Sequence, residues 1–203
     1  MSSISNIINA FGDPGPAKAN RFRVEFTLPA GASSQSSEVW INTNSTSGQM
    51  RSLNSEINGN NRMSIMCHTA TLPSREIQSF EVKQWGPPFR MPHTAAYMPV
   101  SFAFYSDSTL SSREFFDSWQ CAVTNIGSNS FNFLNEYIAD IKIVTLDMEG
   151  RDQYYVELFD CWPTSVSQLD YSYGNNDALQ SVMVVMSYRV WRSKENDTRV
   201  RLF

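Results

Sequence analysis

Residues 179–191 constrain the fold of this chain most. Val182, Val184, Met186, Tyr188 and Val190 recur at every second position, and Met183 and Val185 make the first half apolar on the alternate face too. A period of two marks a β-strand, and a strand apolar on both faces is covered on both sides. The cover is either a second layer of the same subunit or a neighbouring one. Similar alternation recurs elsewhere. Phe22, Val24, Phe26 and Leu28 alternate with Arg21, Arg23, Glu25 and Thr27, and Val100, Phe102 and Phe104 with Ser101, Ala103 and Tyr105. Residues 140–146 and 154–159 predict two strands joined by a turn through Gly150. Residues 64–72 and 76–85 are further strand candidates. Gly86-Pro87-Pro88 and Met91-Pro92 predict irregular chain after them.

One segment reads as a helix. Ser111 and Glu114 have the spacing of a capping box. Phe115, Trp119 and Ala122 then line one face, with Phe116 and Val123 beside it. The expected fold is therefore mainly β: a β-sandwich or partly closed barrel of about seven or eight strands with one α-helix. The 203 residues suit a single domain, placed at 20–191. Residues 1–19 form an N-terminal arm, with Ile4, Ile7, Ile8 and Phe11 at helical spacing before the breaker Gly12-Asp13-Pro14-Gly15-Pro16. Residues 30–62 are rich in Ser, Asn, Gly, Gln and Thr and read as a polar insertion in loop form, with a short strand at 39–41. Residues 192–203 form a C-terminal tail.

Charge is unevenly spread. Residues 110–180 hold 3 Lys/Arg and 11 Asp/Glu, whereas residues 181–203 hold 5 and 2. The acidic middle and basic end can pair within a subunit or between neighbours. No basic block forms a nucleic-acid footprint. The odd cysteine count, Cys67, Cys121 and Cys161, is no disulfide framework and suits buried thiols in a reducing compartment. No signal peptide and no membrane-spanning run is expected.

Chemistry is hard to place. No nucleophile elbow, phosphate loop, dinucleotide fingerprint or His-Glu-x-x-His motif occurs. Cys67, His68, His93 and Cys161 contain the donors of a zinc set, but Cys67 and His68 are strand neighbours that point to opposite faces. Asp147, Glu149 and Asp152 read as solvated turn residues rather than a cation site. No enzyme activity and no cofactor is expected.

Three segments together resemble a known family. They are the strand Ala19-Asn20-Arg21-Phe22-Arg23-Val24-Glu25-Phe26, the segment Cys67-His68-Thr69-Ala70-Thr71-Leu72-Pro73, and the C-terminal stretch. That stretch runs through a Trp162-Pro163-Thr164 turn, a Leu169-Asp170-Tyr171 strand, an Asn175-Asn176 turn and the final apolar strand. In order and spacing they resemble the tail tube proteins of contractile-tailed bacteriophages, related in fold to type VI secretion and pyocin tubes.

The resemblance implies a structural virion protein that forms hexameric rings with a continuous inner β-barrel. Rings stack into a tube inside a contractile sheath, with baseplate and tail-terminator proteins at the ends. DNA passes through the lumen without sequence-specific binding, nothing is anchored in a membrane, and the tail assembles in the host cytoplasm. Phe22, Val24, Phe26, Cys67, Leu72, Pro73, Trp162, Pro163, Leu169, Val182, Val184 and Met186 are the expected core or assembly residues. Arg192, Lys194, Arg199 and Arg201 are expected to carry charge to a neighbouring subunit. A baseplate tube initiator of the same fold is the near alternative. A monomeric β-sandwich module that binds carbohydrate or protein is the alternative of another class.

Overall fold

The computed structural model describes residues 17–27, 56–57, 60–83, 85–125, 127, 129–174, 177 and 179–194. Nearly all of the N-terminal arm, most of the polar insertion with its 39–41 strand, Asn175-Asn176, and the tail beyond residue 194 with Arg199 and Arg201 lie outside them.

Among the described residues the chain is mainly β. Its principal sheet has seven strands. In path order these are β1 (Phe22–Phe26), β10 (Ala139–Leu146), β11 (Asp152–Val166), β12 (Ser181–Ser187), β7 (Val100–Tyr105) and β4 (Cys67–Ala70), and β13 (Val190–Ser193) also pairs with β11. All these pairings are antiparallel. The end strands β1 and β4 approach within 8 Å without pairing, so the sheet curls into a partly closed barrel. Three two-stranded pieces lie outside it: β2 (Glu56–Ile57) with β3 (Asn60–Asn61), β5 (Arg75–Val82) with β6 (Phe89–Tyr97), and β8 (Thr124–Asn125) with β9 (Ser130–Phe131).

The curl depends on a bend in β11. Its first half pairs with β10 and β13, its second half with β12. At the junction Asp160 has φ 55, a left-handed backbone that costs a non-glycine residue roughly 1 kcal/mol. Side chains hold it there. The Asp160 N–H donates to Asp140 Oδ1 at 3.1 Å, and Arg189 Nε sits 2.5 Å from Asp160 Oδ2. The same bend interrupts the last strand. Residues 179–191 are two strands, β12 and β13, separated at Tyr188-Arg189 opposite the bend.

The core lies between the sheet and α2 (Ser111–Val123). Val182, Val184 and Met186 are fully buried, as are Val24, Phe102, Phe104 and Trp119. Phe116 stacks near-parallel on Trp119, and Trp119 Nε1 donates to the Tyr137 carbonyl at 2.6 Å. The helix presents the apolar face expected of it: Phe115, Phe116, Trp119, Ala122 and Val123 are buried.

Its start differs from the expected capping box. Leu110 is the N-cap in a left-handed conformation with no side-chain cap bond. Asp107 does the work from outside. Its Oδ1 accepts the Ser111 N–H at 2.8 Å, and its Oδ2 accepts the Ser111 and Thr109 hydroxyls at 2.7 and 2.9 Å. A carboxylate here also meets the positive end of the helix dipole. Asp107→Ala should therefore destabilise the subunit by about 1–2 kcal/mol, read as a lowered chemical-denaturation midpoint. Glu114→Ala should change it little.

Other expectations need correction. Two further short helices occur among the described residues, α1 (Arg62–Met66) and α3 (Leu134–Tyr137). The expected strand 64–72 is thus α1 followed by the short β4. Helical spacing lets Met63 and Met66 share the core side. Trp162-Pro163-Thr164 is not a turn but part of β11, and Leu169-Asp170-Tyr171 is irregular rather than a strand. Pro163 is tolerated because a register shift of β11 against β12 falls between Pro163 and Ser165. The chain after Gly86 is not irregular but forms β6.

Candidate assembly surface

The surface that stands out is the β5–β6 hairpin. Its strands pair from Arg75↔Tyr97 to Val82↔Phe89, with a shift between Gln78 and Ser79. Pro92 falls opposite Ser79 at that shift, the place in a ladder where a missing N–H does least harm. Gly86 turns the tip with φ 95, which a side chain would strain. The base is tied to the barrel. The Met98 N–H donates to the Ser74 carbonyl at 3.2 Å, Tyr188 Oη lies 3.4 Å from the same carbonyl, and Tyr97 meets Tyr188 edge-on.

Beyond its base the hairpin is open. Ile77, Phe80, Phe89 and Met91 are exposed, and Trp85 at the tip is 99% exposed. A two-stranded ribbon is at best marginally stable alone in water. One that displays this much aromatic surface is built to be covered. The sequence carried a signal for β6: Phe89, Met91, His93, Ala95 and Tyr97 alternate with polar or small residues. The prolines masked it.

A second open surface is the outer face of the main sheet. Met183 is 51% exposed and Val185 half-buried, so the strand apolar on both faces is covered on one face by its own subunit. Tyr105 stacks on His68 on this side.

The expected residues divide clearly. Val24, Phe26, Cys67, Val182, Val184 and Met186 join one core, with Phe22, Trp162 and Leu169 packed at its margin. Pro163 is buried, Pro73 half-buried, and Leu72 exposed. Arg192 lies over the Phe159 ring at 5.1 Å and Lys194 Nζ donates to the Gln153 carbonyl at 3.3 Å, so both make contacts inside the subunit. Arg23 bridges Glu25 and Asp152 at 2.8 and 3.1 Å.

No metal-holding group of His, Cys, Asp or Glu occurs among the described residues. His68 and His93 bond to the neighbouring Thr69 and Thr94 hydroxyls. In the turn, Glu149 pairs with Arg151, Asp152 with Arg23, and Asp147 Oδ1 accepts the Met148 N–H. No helix among the described residues is long and apolar enough to cross a membrane.

The thiols are held inert by their surroundings. Burial pushes Cys67 up to about 12, opposed in part by a hydrogen bond to the Thr69 backbone. Burial pushes Cys161 up as well, reinforced by Asp140 and Asp160. Cys121 is raised by burial and by Asp117 but is only half-buried. A thiol is reactive as the thiolate. Iodoacetamide at pH 8 should therefore label Cys121 slowly in the folded chain and spare Cys67 and Cys161, while all three react in denaturant. The sign for stability follows. The unfolded Cys67 loses its proton near 9.0 and the folded one near 12, so its contribution is complete below pH 9 and declines above it.

The sequence over residues 17–194 matches the phage tail tube protein family. This chain belongs to that family. Solved structures share the fold. A chain of the PVC sheath–tube complex of an extracellular contractile injection system, in its extended state, superposes with TM-score 0.57 at 13% identity, covering 96% of this chain and 99% of that one. A chain of the sheath/tube terminator of such a system gives 0.58 at 13%, covering 88% and 96%. A chain of the anti-feeding prophage baseplate gives 0.54 at 12%, covering 88% and 95%. No curated protein sequence matches the chain significantly. The tail tube family is a structural one.

Proposed function

We propose that this chain assembles with copies of itself into hexameric rings that stack as the inner tube of a contractile tail, the conduit for DNA during ejection. The exposed apolar β5–β6 hairpin carries this reading: it is tied at its base, uncovered along its length, and needs a second surface. Family membership and the tube-complex fold support it. The sheath protein would surround the tube, with baseplate and terminator proteins at its ends, within a virion tail assembled in the host cytoplasm.

The charge suits a conduit. Six copies at -4 each give a ring of roughly -24, a collective field that keeps phosphate from sticking. Negative-stain imaging of the purified chain, with chelator and reductant present, tests the proposal. Rings or tubes support it. A strictly monomeric protein at high concentration rejects it. A baseplate initiator of the same fold would give single rings that nucleate tubes without elongating by themselves.

A further inference from the structure

The two walls of the barrel carry different chemistry. In β1, β10 and the first half of β11 the positions that alternate with the core hold charge: Arg23 pairs with Glu25 and Asp152, and Lys142 with Glu157. β4, β7 and β12 hold no Asp, Glu, Lys or Arg. Apolar residues are expected on the core side of any strand, but the outward side of a solvated sheet is normally where charge sits. The outward side here is one continuous face, because Met183 registers against Ala103, Ala103 against Thr69, and Ser181 against Tyr105. It is also open: Thr69, Tyr105, Ser181 and Met183 are exposed.

We propose that this face of β4, β7 and β12 is the wall of the lumen, an uncharged lining that a polyanion such as DNA passes without binding. The face lacks the marks of a docking surface. Met183 and Tyr105 are its exposed large apolar side chains, against Phe80, Trp85, Phe89 and Met91 on the hairpin. Its hydroxyls are engaged locally. The Thr69 hydroxyl bonds to His68 Nδ1, whose ring stacks on Tyr105, and the Ser101 and Thr71 hydroxyls bond to each other at 3.3 Å. Few donors are left for a phosphate. Position agrees with chemistry. The β5–β6 hairpin leaves the barrel from β4 and returns as β7, so a ring joined through the hairpin carries these strands along the same circle. Lys or Arg on such a wall would hold phosphate through counterion release, and Asp or Glu would repel it at close range. The ion-paired wall of β1 and β10 suits bulk water or a protein partner outside. This inference rests on the assembly reading and specifies the surface its cargo meets.

Thiol labelling of assembled tubes tests it. Met183→Cys is placed in a Cys121→Ser full-length chain, whose remaining Cys67 and Cys161 are buried. Two reagents are compared: N-ethylmaleimide, which diffuses in through the tube ends, and a maleimide on a polyethylene glycol coil too wide for a channel that passes DNA. In tubes the small reagent should label the new thiol and the large one should not; after dissociation both should. Labelling of intact tubes by both overturns the inference and puts the face outside. Protection from both in tubes, or loss of assembly from this small exchange, overturns it in favour of a contact between copies. A wild-type chain that forms no tubes overturns the assembly reading, and the inference falls with it.

A second measurement reads the chemistry of the lining. Wild-type tubes should not retain a fluorescent single-stranded oligonucleotide. Met183→Lys adds one cation per copy to the wall. Retention should then rise about tenfold or more at low salt, fall back as salt is raised, and survive nuclease. Glu149→Lys, in the exposed turn between β10 and β11, is the control, where any bound oligonucleotide should be digested. Retention by the wild type, or Met183→Lys tubes that bind none or lose it to nuclease, overturns the inference.

Discussion

Val184→Asp should yield no folded subunit. Val184 is fully buried, registered against Val166 on one side and Phe102 on the other. Its side chain points into the layer closed by α2, where no Lys or Arg is buried among the described residues. A carboxylate there loses its hydration and gains nothing in return, a cost of several kcal/mol even after relaxation. The lost valine packing adds about 1–3 kcal/mol. The total rivals the entire stability of a typical domain, about 5–15 kcal/mol. Expression should move to the insoluble fraction, and any soluble protein should lack a cooperative melt. Met183→Asp, one residue away, is the control. Met183 faces outward, so that variant should fold. A folded Val184→Asp with a normal melt would contradict the core described above.

Much of this fold was legible because it is written in periods of two. β1, β7, β10 and β12 follow alternations that the eye can count, and the core face of each matches its burial pattern. The one long helix was legible for the same reason at a period of 3.6. What escaped was every feature set by more than one segment. The bend at Asp160 depends on Asp140 and Arg189, which lie 20 and 29 positions away, so the final strand reads as continuous until its partner is known. Asp107 caps a helix whose own first residues imitate a capping box, because a carboxylate four residues upstream competes successfully for the same N–H. Pro163 and Pro92 look like strand breakers, yet each falls where a ladder shifts register and asks nothing of the missing donor.

The assembly surface was half legible. The outward face of β12 was visible as Met183 and Val185, whereas the hairpin was hidden by the prolines that shape it. Leu72 was read as a core or assembly residue from the family motif. Only its exposure separates those roles, and it places Leu72 outside the core. Arg192 and Lys194, expected to carry charge to a neighbour, make local contacts with Phe159 and Gln153 within the subunit.

The hairpin gives the largest expected effect on assembly. Phe80→Asp combined with Phe89→Asp should leave the subunit folded and abolish rings. Phe80 pairs across from Met91 and Phe89 across from Val82, so the two phenylalanines lie on one face of the ribbon near its tip. Phe80 is 47% exposed and Phe89 54%, and neither joins the core cluster. The cost to the isolated subunit should therefore stay near 0.5 kcal/mol, the usual range for surface substitutions. In an interface the same two rings would each contribute about 1.5–3 kcal/mol on burial, and the carboxylates would have to be desolvated. That weakens each contact by roughly a hundredfold or more. A closed ring repeats the contact at every junction, so assembly should vanish at concentrations where the wild type is fully assembled. Sedimentation velocity and negative-stain images would read the loss, and circular dichroism would show that the fold survives. Normal rings from this variant would move the interface elsewhere, with the outer face of β12 the next surface to test. An unfolded variant would show instead that the hairpin packs on its own subunit and contributes to its stability.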